Sequence, residues 1–251
     1  MLIDLPTESD PVRVIEGDCL DVLRRLPDGC VDAVVTDPPY GLGESSLAWA
    51  DRGYRRINEA WDGDVPTDWF AVAFRVLATG GTLLCFGSWQ TFEAVLASSA
   101  AAGFTRRGVV VWDKVNTMPN LSKRGYQYTH ELVLWATKGG GYHWHAAEQV
   151  RDIVRQTWTQ PDRWHPSQKP IPLMAELIRR HAPPGGLVFD PFGGSGTTAV
   201  ACLATGRRCL TVERDADYCE RLRRRVADAI GRPLVGTDGT VTKPARPSLF
   251  A

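Results

Sequence analysis

LVFDPFGGSGTTAVA, residues 187–201, reads as three pieces of backbone in a row. Leu187, Val188 and Phe189 form an apolar run of strand type, and the residues from Thr197 onward have the composition of a buried helix. Between them Gly193, Gly194 and Gly196 permit a tight turn and close approach of a ligand, and the helix start offers free N–H groups. RCLTVE (208–213) reads as the next strand and ends on a carboxylate, Glu213. Strand, glycine turn, helix, strand and terminal acid describe a βαβ unit with its ligand at the turn. An ordinary glycine-rich turn is the competing reading, and the acid at 213 weighs against it.

The same alternation continues outward. VRVIEG (12–17), VDAVVTD (31–37) and TLLCFGS (82–88) read as strands, and DCLDVLRRL (18–26), TDWFAVAFRVLAT (67–79) and TFEAVLASSAAAG (91–103) as helices. The helix over 67–79 is expected to stop at Gly80-Gly81. RRGVVVWDK (106–114) and HELVLWATK (130–138) follow as strands with no convincing helix between them, which suits direct pairing. IPLMAELIRRHA (171–182) and ADYCERLRRRVADAIG (216–231) read as helices. Repeated β–α units imply a mainly parallel sheet covered on both faces. Residues 41–66 and 139–168 are rich in Trp, Tyr, Arg and Gly and are expected to be irregular functional loops. The tail 232–251 has little periodicity and reads as peripheral or flexible.

The 251 residues suit a single domain, with 41–66 and 116–165 as inserted loops and 232–251 as a flexible tail. The 29 basic and 29 acidic residues cancel, which argues against a protein wholly dedicated to nucleic acid but leaves room for local patches. The 6 cysteines contain no C-x-x-C pair, so a reducing cytoplasm is the expected setting, and no apolar run approaches membrane-spanning length. His143-Trp144-His145 lacks a nearby third ligand, and no metal is expected.

Asp190, which opens the glycine turn, narrows the ligand. A carboxylate there would repel the pyrophosphate of a dinucleotide and would suit a cationic α-amino group, such as that of S-adenosyl-L-methionine. A second motif stands earlier in the chain. VDAVVTDPPYG (31–41) ends a core strand on Asp37, Pro38, Pro39 and Tyr40, where two prolines fix φ and remove two donors.

DPPY followed much later by FGGSGTT resembles the amino-methylating DNA methyltransferases in their permuted order, the β class, over about residues 12–230. The resemblance implies a Rossmann-like, circularly permuted methyltransferase fold with a seven-stranded sheet and one antiparallel strand. It implies S-adenosyl-L-methionine as cofactor. Asp18 would stand beside the adenine, and Ser167 and Lys169 of HPSQKP (165–170) in the segment over the methionine moiety. Asp37, Asp190, Phe192, Gly194, Ser195, Gly196, Thr197 and Glu213 would complete the site, Glu213 on the ribose and Asp190 on the amino group. Asp37 and the Pro38 carbonyl would accept the two hydrogens of an exocyclic amino group, freeing its lone pair toward the methyl, with Pro39 helping to preorganise the acceptors. Tyr40 would offer a face to a flipped base.

An initial Asp leans toward adenine N6 in a specific sequence of double-stranded DNA. Cytosine N4 methylation and an inactive DNA-binding protein on the same fold are the alternatives. Relatives acting on RNA or protein amides carry Asn where Asp37 stands. Basic residues interleaved with aromatics suit phosphate contact and stacking, and Arg55, Arg56, Lys123 and Arg124 are the candidates. Arg221, Arg223, Arg224 and Arg225 read as a solvated helix face and Cys85 as core. A homodimer and a companion restriction endonuclease are the further partners this reading admits.

Overall fold

The computed structural model describes residues 3–41, 65–117, 124–146, 148–158, 164–165 and 167–231, and the backbone of 234–235 and 241–242. In chain order its elements are β1 (Val12–Glu16), α1 (Cys19–Arg24), β2 (Val31–Thr36), α2 (Trp69–Val76), β3 (Leu77–Gly87), α3 (Phe92–Ala101), β4 (Thr105–Asp113) and β5 (His130–Thr137). There follow β6 (Ile153–Arg155), α4 (Ile171–His181), β7 (Leu187–Asp190), α5 (Thr197–Thr205), β8 (Arg208–Glu213), α6 (Ala216–Ile230), β9 (Leu234–Val235) and β10 (Val241–Thr242).

One sheet of eight strands runs β1-β8-β7-β2-β3-β5-β4-β6. Only β5 runs against the others: it pairs antiparallel with β3 and β4, and the remaining pairs are parallel. The expected pairing of 106–114 with 130–138 is therefore present, and the single reversed strand is β5. The sheet exceeds the expected seven strands by β6, three residues inside the stretch read as irregular, which pair with Val111–Asp113. The tail, expected to be peripheral or flexible, contains the short antiparallel pair β9–β10.

Alternation along the strands splits the core between the two faces. Val35 and Leu84 pack with Leu173, Ile178 and Ala199 on one side. Val34, Leu83 and Cys85 pack with Leu23, Trp69 and Phe70 on the other. β2 is buried on both faces, which is why its sequence is nearly continuous in apolar residues.

Helix α2 ends at Val76, short of the expected Thr79. Leu77 is already paired with Val31 in the sheet, and the Lys138 ammonium donates to the carbonyls of Arg75 and Leu77 at 3.1 and 2.7 Å. A cation at a helix C-terminus takes up carbonyls that the helix leaves unpaired. Gly80 then turns at φ 79, where a Cβ would stand 2.9 Å from the Gly141 carbonyl oxygen.

The chain leaves β2 toward β3 on one side and β7 toward β8 on the other. The carboxyl ends of these neighbouring strands thus open a crevice of the kind in which α/β proteins bind ligands.

Candidate active site

That crevice is a cavity of about 680 Å³ lined by residues from both motifs. Gly17 and Asp18 follow β1, Asp37 and Pro39 follow β2, Asp190 ends β7 with Pro191 through Ser195 after it, and Glu213 ends β8 with Arg214 and Asp215 after it. Ser167 and Lys169 close one wall, and Thr197 and Thr198 the floor where α5 begins. Of the cofactor residues expected from the sequence, Gly196 alone is not in the lining. It caps α5 at φ 76, and a Cβ there would lie 2.8 Å from Leu222 Cγ, so its glycine serves packing against α6.

Asp190 is buried. Its Oδ1 accepts from the Thr36 hydroxyl at 2.8 Å and from the Phe192 N–H at 3.1 Å. Burial pushes its carboxyl from 3.8 to about 7, against the hydrogen bonds that hold it down. Among the described residues no Lys, Arg or His forms an ion pair with it. A buried carboxylate facing a cavity without a counter-charge fits a cationic ligand group. Glu213 accepts the Gly194 and Asp215 N–H groups at 2.7 and 2.8 Å, and burial raises its pKa. It lines the same cavity and keeps lone pairs available as hydrogen-bond acceptors there. Asp18 caps α1 through the Leu20 N–H at 2.8 Å.

Gly193 holds the turn against β8, since a Cβ there would meet Thr211 Oγ1 at 2.6 Å. Arg225 corrects one sequence expectation. Its Nη1 donates to the Ser195 carbonyl at 2.9 Å and to Thr197 Oγ1 at 3.1 Å, so it braces the glycine turn and is not part of a solvated face. Arg223 and Arg224 do pair with surface acids, Glu16 and Glu220, whereas the Arg221 guanidinium lies over the Trp164 ring at 5.5 Å.

The second motif forms a compact charged knot. The Lys169 ammonium, 5% exposed, lies 2.5 Å from Asp37 Oδ2 and 3.2 Å from Glu131 Oε2. The Tyr40 hydroxyl stands 2.7 Å from Asp37 Oδ1 and 3.0 Å from Glu131 Oε2. Lys114 reaches Glu131 Oε1 at 2.6 Å. Burial raises the Asp37 carboxyl, Lys169 opposes that and Glu131 adds to it. Burial would raise Glu131 as well, but the two ammonium groups outweigh it and hold the group at about 2. Lys169 is raised, because its two carboxylate partners outweigh its burial. Sequence reading missed Glu131 and Thr36, and it grouped Lys114 with the basic residues beside Tyr126 and Tyr128 as suited to phosphate contact, whereas Lys114 pairs with Glu131. A charged residue at the end of an apolar strand was the signal available for Glu131.

Lys169 lines the cavity, yet its ammonium serves Asp37 rather than extending alone into the ligand space. Tyr40 packs against the core and is half-buried, with Lys169 at 5.3 Å over its ring. Arg124 is described and exposed. Arg55, Arg56 and Lys123 lie outside the described residues. Among the described residues no group of three or more His, Cys, Asp or Glu could hold a metal ion, and no helix is long and apolar enough to cross a membrane.

Residues 31–224 match the model of the N6/N4 DNA methylase family. The chain is 32% identical over 220 residues to the putative methylase YubD of Escherichia coli (strain K12), covering 86% of this chain and 90% of that protein. It is 27% identical over 243 residues to the type II methyltransferase M2.MboI of Moraxella bovis, with 87% and 89% covered. The solved structure of the putative DNA modification methylase TTHA0409 of Thermus thermophilus, complexed with S-adenosyl-L-methionine, superposes with a TM-score of 0.62 at 25% identity, covering 87% and 95%. With an acid-lined cavity at the carboxyl ends of its strands and a family match spanning both motifs, this chain belongs to the N6/N4 DNA methylase family and is a DNA methyltransferase that uses S-adenosyl-L-methionine.

Proposed function

We propose that this enzyme methylates the N6 amino group of adenine within a specific sequence of double-stranded DNA, as a permuted, β-class member of the family. The observation that carries the reading is the position of Asp37, on the wall of the cavity that also holds Asp190 and Glu213. The bound cofactor supplies an electrophilic methyl on a sulfonium. The chain's part is to hold the target nitrogen in line with it. An exocyclic amino group is a poor nucleophile because its lone pair is delocalised into the ring. Asp37 and the Pro38 carbonyl accept its two hydrogens, which favours a tetrahedral nitrogen with the lone pair directed at the methyl. Transfer would give that nitrogen a fourth bond, and Asp37, already holding one of its hydrogens, would take up the proton it then sheds. Tyr40 flanks the flipped base.

Asp190 and Glu213 hold the cofactor's ammonium and ribose, Asp18 stands beside its adenine, and Ser167 closes over its methionine part. Arg55, Arg56, Lys123 and Arg124 contact phosphates. The protein works as a monomer or homodimer in the cytoplasm, alone or with a companion endonuclease. Cytosine N4 is the second reading, because the family spans both acceptors. Nucleoside mass spectrometry of DNA from cells expressing the protein separates them: N6-methyladenine supports the first reading and N4-methylcytosine the second.

A further inference from the structure

Glu131 takes no part in the chemistry outlined above and does not line the cofactor cavity, yet it sits half-buried in the knot with Asp37 and Lys169. It enters from β5, the strand next to β3, and its two oxygens divide the labour. Oε1 is fixed by Lys114 at 2.6 Å, and that ammonium is itself steadied over the rings of Trp112 and Trp158 at 5.2 and 5.9 Å. Oε2 faces the same two donors as Asp37: the Tyr40 hydroxyl at 3.0 Å and the Lys169 ammonium at 3.2 Å. Asp37 holds those donors more closely, at 2.7 and 2.5 Å. A carboxylate gripped by an ammonium and a hydroxyl is a weakened acceptor for an incoming amino group. Letting those donors go with no other acceptor would leave a charge and a hydroxyl buried without partners, at a cost of several kcal/mol.

We propose that Glu131, anchored by Lys114, is a positioning residue that takes over the Tyr40 hydroxyl and shares the Lys169 ammonium when Asp37 turns to the target amino group. The tyrosine has one hydroxyl hydrogen, so it can serve only one carboxylate fully at a time. The two oxygens on offer differ by 0.3 Å in distance, so a small shift of the ring exchanges them. The inference rests on the proposed role of Asp37 as acceptor.

The charged groups around Asp37 give the exchange a pH signature. Lys169 precedes α4, Glu131 and Tyr40 face it from β5 and the end of β2, and Cys85 of β3 and Asp190 of β7 lie within electrostatic reach. The charge on Glu131 raises Asp37. Removing it should therefore let Asp37 stay ionised to lower pH.

The test is single-turnover methylation over a pH series at saturating S-adenosyl-L-methionine, for the unmodified enzyme and for Glu131→Gln, Glu131→Asp and Asp37→Asn. Expected for Glu131→Gln are a plateau rate lower by roughly 10- to 100-fold, an acid limb moved to lower pH, and unchanged cofactor affinity. Glu131→Asp should recover part of the rate, and a Tyr40→Phe, Glu131→Gln double variant should lose less than the product of the single losses. Wild-type rate and profile in Glu131→Gln, beside an inactive Asp37→Asn, would overturn the exchange while leaving the function reading intact. A slowed Glu131→Gln whose acid limb does not move, with a lowered Tm, would also overturn it in favour of plain scaffolding. Full activity in Asp37→Asn would instead overturn the acceptor reading, and the exchange with it.

Discussion

The Thr36 hydroxyl donates to Asp190 Oδ1 at 2.8 Å across a sequence separation of 154 residues. This bond joins the last residue of the strand that carries the DPPY motif to the acid that opens the glycine turn. Asp190 is thereby tied to the end of β2, and the proposed cofactor and target sites share one wall of the cavity.

Asp190 should make cofactor binding depend on pH. Its folded carboxyl sits at about 7 against an ordinary 3.8, so the ligand-free protein holds this proton more tightly than the unfolded chain does. Its contribution to stability is therefore full below 3.8 and lost as pH rises through about 7. A cationic ligand group needs the carboxylate, so S-adenosyl-L-methionine should bind more tightly at pH 8 than at pH 6 and raise Tm more there. Asp190→Asn should weaken binding roughly 10- to 150-fold, the equivalent of about 1.5–3 kcal/mol for a lost charge-assisted hydrogen bond, and flatten the pH dependence. Calorimetric titration at the two pH values reads both effects.

Gly193→Ala and Gly194→Ala should separate packing from conformation. A Cβ at 193 would lie 2.6 Å from Thr211 Oγ1, 2.8 Å from Leu222 Cδ1 and 3.1 Å from the Val212 carbonyl, whereas at 194 the nearest atoms are 3.9 Å away. Overpacking at 193 should cost about 1–3 kcal/mol and displace the turn, visible as a lower Tm and weaker cofactor binding. At 194 the penalty is backbone strain alone, at φ 48. Equal Tm losses in both variants would contradict the steric argument.

Both chemical motifs were legible in the sequence because they are local. Prolines, glycines and a strand-ending acid act on backbone within a few residues, and their consequences need no tertiary information. The edge strand β6 was not legible, since three residues carry no measurable alternation and pair only because β4 leaves an edge open. Glu131 was hidden for a different reason. Its partners come from three separate segments, Tyr40 after β2, Lys114 after β4 and Lys169 before α4, and only the folded sheet brings them together. Arg225 looked like one more charge in a basic run, and its contact with the glycine turn depends on how α6 packs against α5.

Arg55→Ala with Arg56→Ala should weaken DNA binding and reduce the slope of log K against log[salt] by about 0.9 per lost phosphate contact. Affinity for S-adenosyl-L-methionine should not change. Binding measured across a salt series checks this. An unaltered slope with normal affinity would move phosphate contact to Lys123, Arg124 or the 139–165 stretch.

Asp37→Ala probes the acceptor on which the account turns. The variant should bind S-adenosyl-L-methionine nearly as well as the unmodified enzyme and transfer methyl groups at least about 10²–10³-fold more slowly. The direct measurement is nucleoside mass spectrometry of DNA from cells expressing either form. N6-methyladenine in the DNA of cells with the unmodified protein, and its loss with Asp37→Ala, is the predicted result. Equal methylation by the two forms, or no methylated adenine with either, would contradict the account.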